Sequence, residues 1–223
     1  MTLHLLPNLL AEGLDPKSAF VPVLYDIIPT LDGIIGESER NARRYLKLFR
    51  DDFRDVPIEL LNEHNKDVRP LLKPLEKGES WGLISDCGLP LLADPGAKLV
   101  AGARAKKIDV QVYPGPSSII QALMLSGFSA QGFTFHGYLP RDPTRREQAL
   151  KALVTSMRKT RLTQVFIEAP YRNNPMRNDL IRLIPKEIGI IAAVDLMLPS
   201  QAIFDVRTNP ELHKKCVVFV LGF

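Results

Sequence analysis

Side chains able to do chemistry gather at three breaks where an apolar run gives way to proline and glycine. The longest break follows Ile84-Ser85 and reads Asp86-Cys87-Gly88-Leu89-Pro90-Leu91-Leu92-Ala93-Asp94-Pro95, up to Gly96. Gly88 permits close approach of backbone to a ligand, and the two prolines hold the segment in one shape. Two readings stand side by side: a ligand loop, or a rigid crossover in which Asp94 caps the next helix. The second break, Pro114-Gly115-Pro116-Ser117-Ser118, offers Ser117 or Ser118 as a helix N-cap, with hydroxyls and amides available to a ligand. The third, Glu168-Ala169-Pro170-Tyr171-Arg172 after Val165-Phe166-Ile167, leaves a carboxylate and a guanidinium at a strand end. Those two charges could equally form a surface ion pair of little energetic consequence.

The elements that must position these breaks alternate between short apolar runs and helical periodicity, the pattern of an α/β protein. Leu3–Leu6, Asp32–Ile35, Ile58–Leu61, Trp81–Ser85 and Val110–Tyr113 read as strands. Glu39–Phe49, Val68–Lys77 and Gly96–Lys106 read as helices, with Val68, Leu71, Leu72 and Leu75 forming an amphipathic stripe. A second series has helices Ser117–Leu125, Arg145–Thr155 and Met176–Leu183. Its strands are Phe133–His136, Thr163–Glu168, Ile188–Val194, Gln201–Val206 and Cys216–Leu221. Two α/β domains, 1–113 and 114–223, follow from a hinge at Pro114-Gly115-Pro116. Open α/β sheets bind ligands beyond the carboxyl ends of their strands, which is where all three breaks fall.

At 223 residues, 45% hydrophobic and 24% charged, the chain has the composition of a folded protein. Its longest apolar stretch, Ile188–Leu198, is broken by Asp195 and is shorter than the roughly 20 residues of a membrane span. The segment MTLHLLPNLL lacks the basic start and cleavage site of a signal peptide, so a soluble, cytoplasmic protein without membrane partners is expected. Cys87 and Cys216 cannot build a disulfide framework, and no Cys/His spacing suits a metal.

A net charge of +4 is compatible with an anionic partner. Arg40, Arg43, Arg44 and Lys47 recur at helical spacing, with Ala42, Tyr45, Leu46 and Phe49 on the other side. Between Arg141 and Arg161, Arg145 and Arg146 belong to a second basic group of seven. Such faces contact phosphates without reading sequence, or are ordinary solvated surface.

Taken in order, SDCGLPLLADPG, YPGPSSIIQAL, GFTFHGYLPRDPTRREQAL and VFIEAPYR resemble the tetrapyrrole methylase superfamily. Within it they are most similar to the ribosomal RNA small subunit methyltransferase I branch. IIGESERNARRYLKLF and Asn62-Glu63-His64-Asn65 extend the likeness upstream. The resemblance implies a two-domain fold, each domain a mixed sheet flanked by helices, with S-adenosylmethionine held between them in a homodimer. It places Asp86, Cys87, Gly88, Leu89, Leu91, Ser117, Ser118, Ile167, Leu198 and Pro199 at the cofactor, Cys87 as a small buried side chain. It implies an acceptor in ribosomal RNA or the small ribosomal subunit, a ribose 2′-hydroxyl; the contacts expected for it from the basic spacings and the third break are Arg40, Arg43, Arg44, Arg145, Arg146 and Arg172.

Two segments depart from the family pattern. Only Pro7 and Asn8 loosely match its first loop, and Val194-Asp195-Leu196-Met197-Leu198 replaces its R-E-L-T-K. Another acceptor, or a relative that binds cofactor and RNA without catalysis, therefore stays open, as does a generic α/β binding protein. A general base, worth about 10²–10⁴-fold on a hydroxyl acceptor, would be Glu37, Glu168 or His64. Each also has a structural reading: Glu37 holding Arg40, Glu168 holding Arg172, His64 capping a turn.

Overall fold

The computed structural model describes residues 1–223. They form two units, Met1–Ser117 and Ser118–Phe223, each built on its own five-stranded sheet.

The first unit contains β1 (Thr2–Leu5), α1 (Val23–Ile27), β2 (Gly33–Gly36), α2 (Glu39–Leu46) and β3 (Ile58–Leu60). It continues with α3 (Arg69–Glu76), β4 (Ser80–Leu83), α4 (Ala97–Ala105) and β5 (Asp109–Val112). Its strand order is β3-β2-β4-β1-β5. Every pairing is parallel, so this sheet is parallel throughout rather than mixed. A parallel sheet must be covered on both faces. Leu24 of α1 and Ala42, Tyr45 and Leu46 of α2 pack with Ile34 and Ile84, whereas Leu71, Leu75, Leu99 and Ala103 of α3 and α4 pack with Leu3, Ile35 and Leu83. The neighbours β2 and β4 send their connections toward opposite edges, β2 to β3 and β4 to β5. Such a reversal opens a crevice at the strand ends.

The second unit contains α5 (Ser118–Ser126), β6 (Phe133–Tyr138), α6 (Pro143–Thr160), β7 (Thr163–Glu168) and α7 (Asn173–Leu183). It ends with β8 (Gly189–Val194), β9 (Ala202–Asp205) and β10 (Val217–Gly222). The order is β6-β7-β10-β8-β9, parallel between β6 and β7 and antiparallel elsewhere. The central strand β10 is buried at every position, as a strand covered on both faces must be. Leu150, Met157, Met176 and Leu180 of α6 and α7 pack with Phe166 and Phe219, whose rings stack 5.3 Å apart, while α5 lies against β7, β8 and β10. Val217 pairs with both Glu168 and Val194, so the chain leaves β7 and β8 at the same level.

Element ends differ from expectation where a cap decides them. The helix expected at Arg145–Thr155 starts at Pro143, because Asp142 accepts the Arg145 N–H at 2.8 Å with proline at the first position. The five-residue α1 was not expected at all. No helix is long and apolar enough to cross a membrane.

Candidate functional site

At the crevice of the first unit, β2 delivers Glu37 and β4 delivers Ser85 and Asp86. Glu37 Oε1 accepts the Asp86 N–H at 3.1 Å, joining the two strand ends. The alternative in which Glu37 holds Arg40 is therefore replaced: this carboxylate braces the Asp86 loop. Asp94 does not cap α4, whose N-cap is Gly96 without a side-chain bond. Its carboxyl instead hydrogen-bonds Ser85. Burial pushes the Glu37 carboxyl above its ordinary value, against the Asp86 N–H, and the Asp94 and Asp86 carboxylates push it further. Burial likewise raises Asp94, with the Ser85 hydrogen bond opposing and Asp86 adding. Three carboxylates thus share one polar corner, an arrangement that disfavours ionising all of them and favours a cationic ligand.

The loop after β1 locks this corner. Asn8 Nδ2 donates to the carbonyls of Ser85 (2.9 Å) and Asp86 (3.2 Å). The Asn8 N–H donates to Gly88 O at 2.7 Å, and the Gly88 N–H to Leu9 O at 3.3 Å. Gly88 sits at φ +69°, where a Cβ would be strained and would meet Leu10 at 3.1 Å and the Pro116 carbonyl at 3.4 Å. A Cβ on Gly115 would lie 2.0 Å from Pro7, so only glycine lets the Pro114–Ser117 segment dock there. Leu91 and Ala93 also hold positive φ, the kind of backbone strain that gathers at functional loops. Cys87 is exposed, not buried; Leu89 and Leu91 are half-buried, and Ser117 is buried. Asn8, buried and bonded to the whole loop, was missed as a shaping residue. Its position directly after a strand, beside Pro7, was the available signal.

His64 does not cap its turn. Asn62 Oδ1 accepts the N–H groups of His64 (3.0 Å) and Asn65 (2.9 Å), and Asn62 Nδ2 donates to the Glu37 carbonyl at 3.0 Å. His64 is exposed, its ring 3.5 Å from the Glu63 carboxylate. That segment therefore reaches the corner through Asn62.

In the second unit, Glu168 and Arg172 are ion-paired but not on the surface: their side chains are 0% and 13% exposed. Glu168 Oε1 also accepts the Ala169 N–H at 2.7 Å. Glu168 Oε2 and Arg172 Nε and Nη1 are buried without a partner. Neither group faces solvent as a free base or phosphate ligand would. Beside them, after β8, buried Asp195 accepts Cys216 N–H (3.1 Å), Lys215 Nζ (3.0 Å) and Ser200 Oγ (3.1 Å). That bracing leaves Leu198 half-buried and Pro199 exposed. Ile167 is half-buried in β7, and Ser118 opens α5.

The expected cationic faces are thinner than their spacing suggested. Arg43 spends its guanidinium on the carbonyls of Phe53 (2.8 Å) and Val56 (2.6 Å). Arg146 is buried against Asp179 at 2.7 Å. Arg44 pairs with Glu12 and with Asn41 Oδ1. Arg40, Lys47 and Arg145 remain exposed, with no side-chain partner. No group of three or more His, Cys, Asp or Glu side chains is arranged to hold a metal ion.

A family model described as Tetrapyrrole (Corrin/Porphyrin) Methylases matches residues 22–208. A ribosomal RNA small subunit methyltransferase I of Xylella fastidiosa strain Temecula1 is 35% identical over 186 residues, 82% of this chain and 66% of that protein. One from Thermotoga maritima is 33% identical, covering 69% of this chain and 67% of its own length. The chain spans about half to two thirds of the length of such curated relatives. Among solved structures, the methyltransferase CobJ aligns with TM-score 0.64 at 16% identity, over 99% of this chain and 92% of its own. A diphthine synthase aligns with TM-score 0.67 at 13% identity, over 99% and 89%. At such identities the likeness is one of fold.

Proposed function

The chain belongs to the tetrapyrrole (corrin/porphyrin) methylase family, and from that membership we propose that it is an S-adenosylmethionine-dependent methyltransferase acting on a ribose 2′-hydroxyl of small-subunit ribosomal RNA. The single observation that carries the donor assignment is the Glu37–Asp86 junction at the β2/β4 crevice, with Asp94 beside it. A sulfonium is a cation, and this corner sets two carboxyls that burial raises, Glu37 and Asp94, beside the Asp86 carboxylate. Gly88, held without room for a side chain, would let the loop backbone close on the donor. Asp86, Cys87, Gly88, Leu89, Leu91 and Ser117 are the residues of the first unit that would hold it. The relatives' names supply the RNA acceptor.

S-adenosylmethionine supplies an already activated methyl group. The chain's own task is to place the acceptor hydroxyl in line and keep water away. Glu37 is the base this site offers: its carboxyl is raised, one oxygen is anchored by Asp86, and the other is free to take a proton. Asn62 and Asn8 act as positioning residues, the first on Glu37's own carbonyl and the second on the loop it braces. The test is transfer of label from methyl-labelled S-adenosylmethionine to small ribosomal subunits, with the product digested to nucleosides. Label in one 2′-O-methylated nucleoside is expected; a chain that takes up donor yet labels no RNA would overturn the acceptor.

A further inference from the structure

Beside the Asp86 loop the first unit contains a cavity of about 450 Å³ that meets the proposed donor residues only at Asp86 and Cys87, on its rim, and the positioning residue Asn8. Its floor and walls come from the loop after β1 and from α2, and its rim includes Asp86 and Cys87. We infer that this cavity receives the nucleoside that carries the acceptor hydroxyl, turned out of the RNA strand. The inference rests on the proposed function and names the place where that function meets its substrate.

The lining has the chemistry of a nucleobase site. Leu10, Leu14 and Leu48 provide apolar surface for a flat ring over the buried Tyr45, while Asn41, Glu12 and Arg44 provide polar groups. The three polar side chains are already ordered: Arg44 pairs with Glu12 and donates to Asn41 Oδ1 at 2.9 Å. That bond fixes the Asn41 carboxamide with its Nδ2 unused, a donor suited to a carbonyl or ring nitrogen on a base edge. The Tyr45 hydroxyl is buried without a hydrogen-bond partner, and burial raises its pKa well above the ordinary value. A volume of this size lies in the usual range of small-ligand sites.

Charge selects the part of the RNA that enters. Glu12 and Asp86 outnumber Arg44 in the lining, so a phosphate is disfavoured inside and a neutral, amphipathic nucleoside is not. The cations without side-chain partners, Arg40 on α2 and Lys47 at its C-cap, stand one turn either side of Arg44. They lie about 10 Å apart along the helix axis. Phosphates flanking the extruded nucleoside would meet them there, which accounts for the two members of the helical stripe that make no internal contact. Enzymes acting on a nucleotide commonly remove it from its stack in this way, reading it by stacking and base-edge hydrogen bonds. Because the cavity and the donor loop share Asp86 and Cys87, a nucleoside held there lies next to the Glu37 carboxylate that braces that loop.

The test titrates the full chain with each of the four ribonucleosides and, separately, with S-adenosylmethionine, following backbone and side-chain resonances by NMR. One ribonucleoside is expected to shift Leu14, Asn41 and Tyr45, while the donor shifts Gly88 and Leu89 first. Leu14→Trp, which fills the cavity, should abolish the nucleoside shifts and lower methyl transfer to small subunits at least 100-fold with the donor Kd unchanged within twofold. The milder Asn41→Ala should raise KM for RNA about tenfold with kcat nearly unchanged. Nucleosides that shift nothing in the cavity, a donor that shifts Leu14 and Asn41 first, or wild-type transfer by a folded Leu14→Trp would each overturn the inference. Wild-type transfer to ribosomal RNA in those cases leaves the proposed function standing. Nucleoside binding with no transfer to any RNA would overturn that function and leave the nucleoside site in place.

Discussion

Two strand ends look alike in sequence and differ in the folded chain. Glu37 directly follows β2 with Arg40 three residues on; Glu168 ends β7 with Arg172 four residues on. The first carboxylate is half-buried, holds one backbone N–H and has no arginine. The second is sealed from solvent and spends its charge on its own arginine. What separates them is the neighbouring element. β2 lies beside β4, whose loop presents an amide and two further carboxylates. β7 lies beside β10, and its arginine folds back over the strand end. An acidic strand end becomes a half-open carboxylate or a sealed structural tie according to what the adjacent strand brings.

Breaking the buried tie should have the largest effect. Glu168→Ala leaves the Arg172 guanidinium buried and uncompensated and should cost about 3–5 kcal/mol, read as a lower midpoint in urea unfolding. Replacing both residues by Leu and Met should recover most of that loss, and a double variant as unstable as the single one would refute the ion-pair reading. At the other strand end, Glu37→Gln should leave the unfolding midpoint nearly unchanged but reduce methyl transfer about 100-fold or more. If Glu37→Gln unfolds like Glu168→Ala, the two ends are alike after all.

Dependence on pH sharpens the contrast. Burial raises the folded-state pKa of Glu37, so its deprotonated form is less favourable in the folded than in the unfolded chain. Stability from this group is present below the unfolded carboxyl pKa and is lost as pH rises through the folded one. Near neutral pH, Glu37→Gln should therefore be at least as stable as wild type, and that advantage should vanish on acidification, measured by thermal unfolding across pH. Transfer by wild type should fall on acidification with an inflection above the ordinary carboxylate range, absent in the Gln variant.

Smaller effects fall on the positioning residues. Asn8→Ala removes two bonds to loop carbonyls and should cost about 1–3 kcal/mol, with a larger loss of donor affinity than of stability. Arg40→Glu should change stability by less than about 0.5 kcal/mol. It should also flatten the salt dependence of RNA binding by roughly one unit of log–log slope.

The sequence made the scaffold legible because its cues are local. The stripe of Val68, Leu71, Leu72 and Leu75 and the Pro/Gly breaks marked helices and loops that the fold retains. Fates set at long range were hidden. Arg43 and Arg146 read as free cations by spacing, but their partners are the carbonyls of Phe53 and Val56 and the carboxylate of Asp179, and no periodicity announces those. Asn8 belongs to the same class, since its partners at Ser85 and Asp86 are reached only when β1 lies beside β4. Glu37 was identifiable as a candidate, whereas its bond to Asp86 needed the strand order.

Calorimetric titration of S-adenosylmethionine into the intact chain and into Gly88→Arg tests the donor site most directly. Saturable one-to-one binding by wild type, lost in a variant that still unfolds cooperatively, is the predicted result; no heat of binding by wild type at millimolar donor would contradict it.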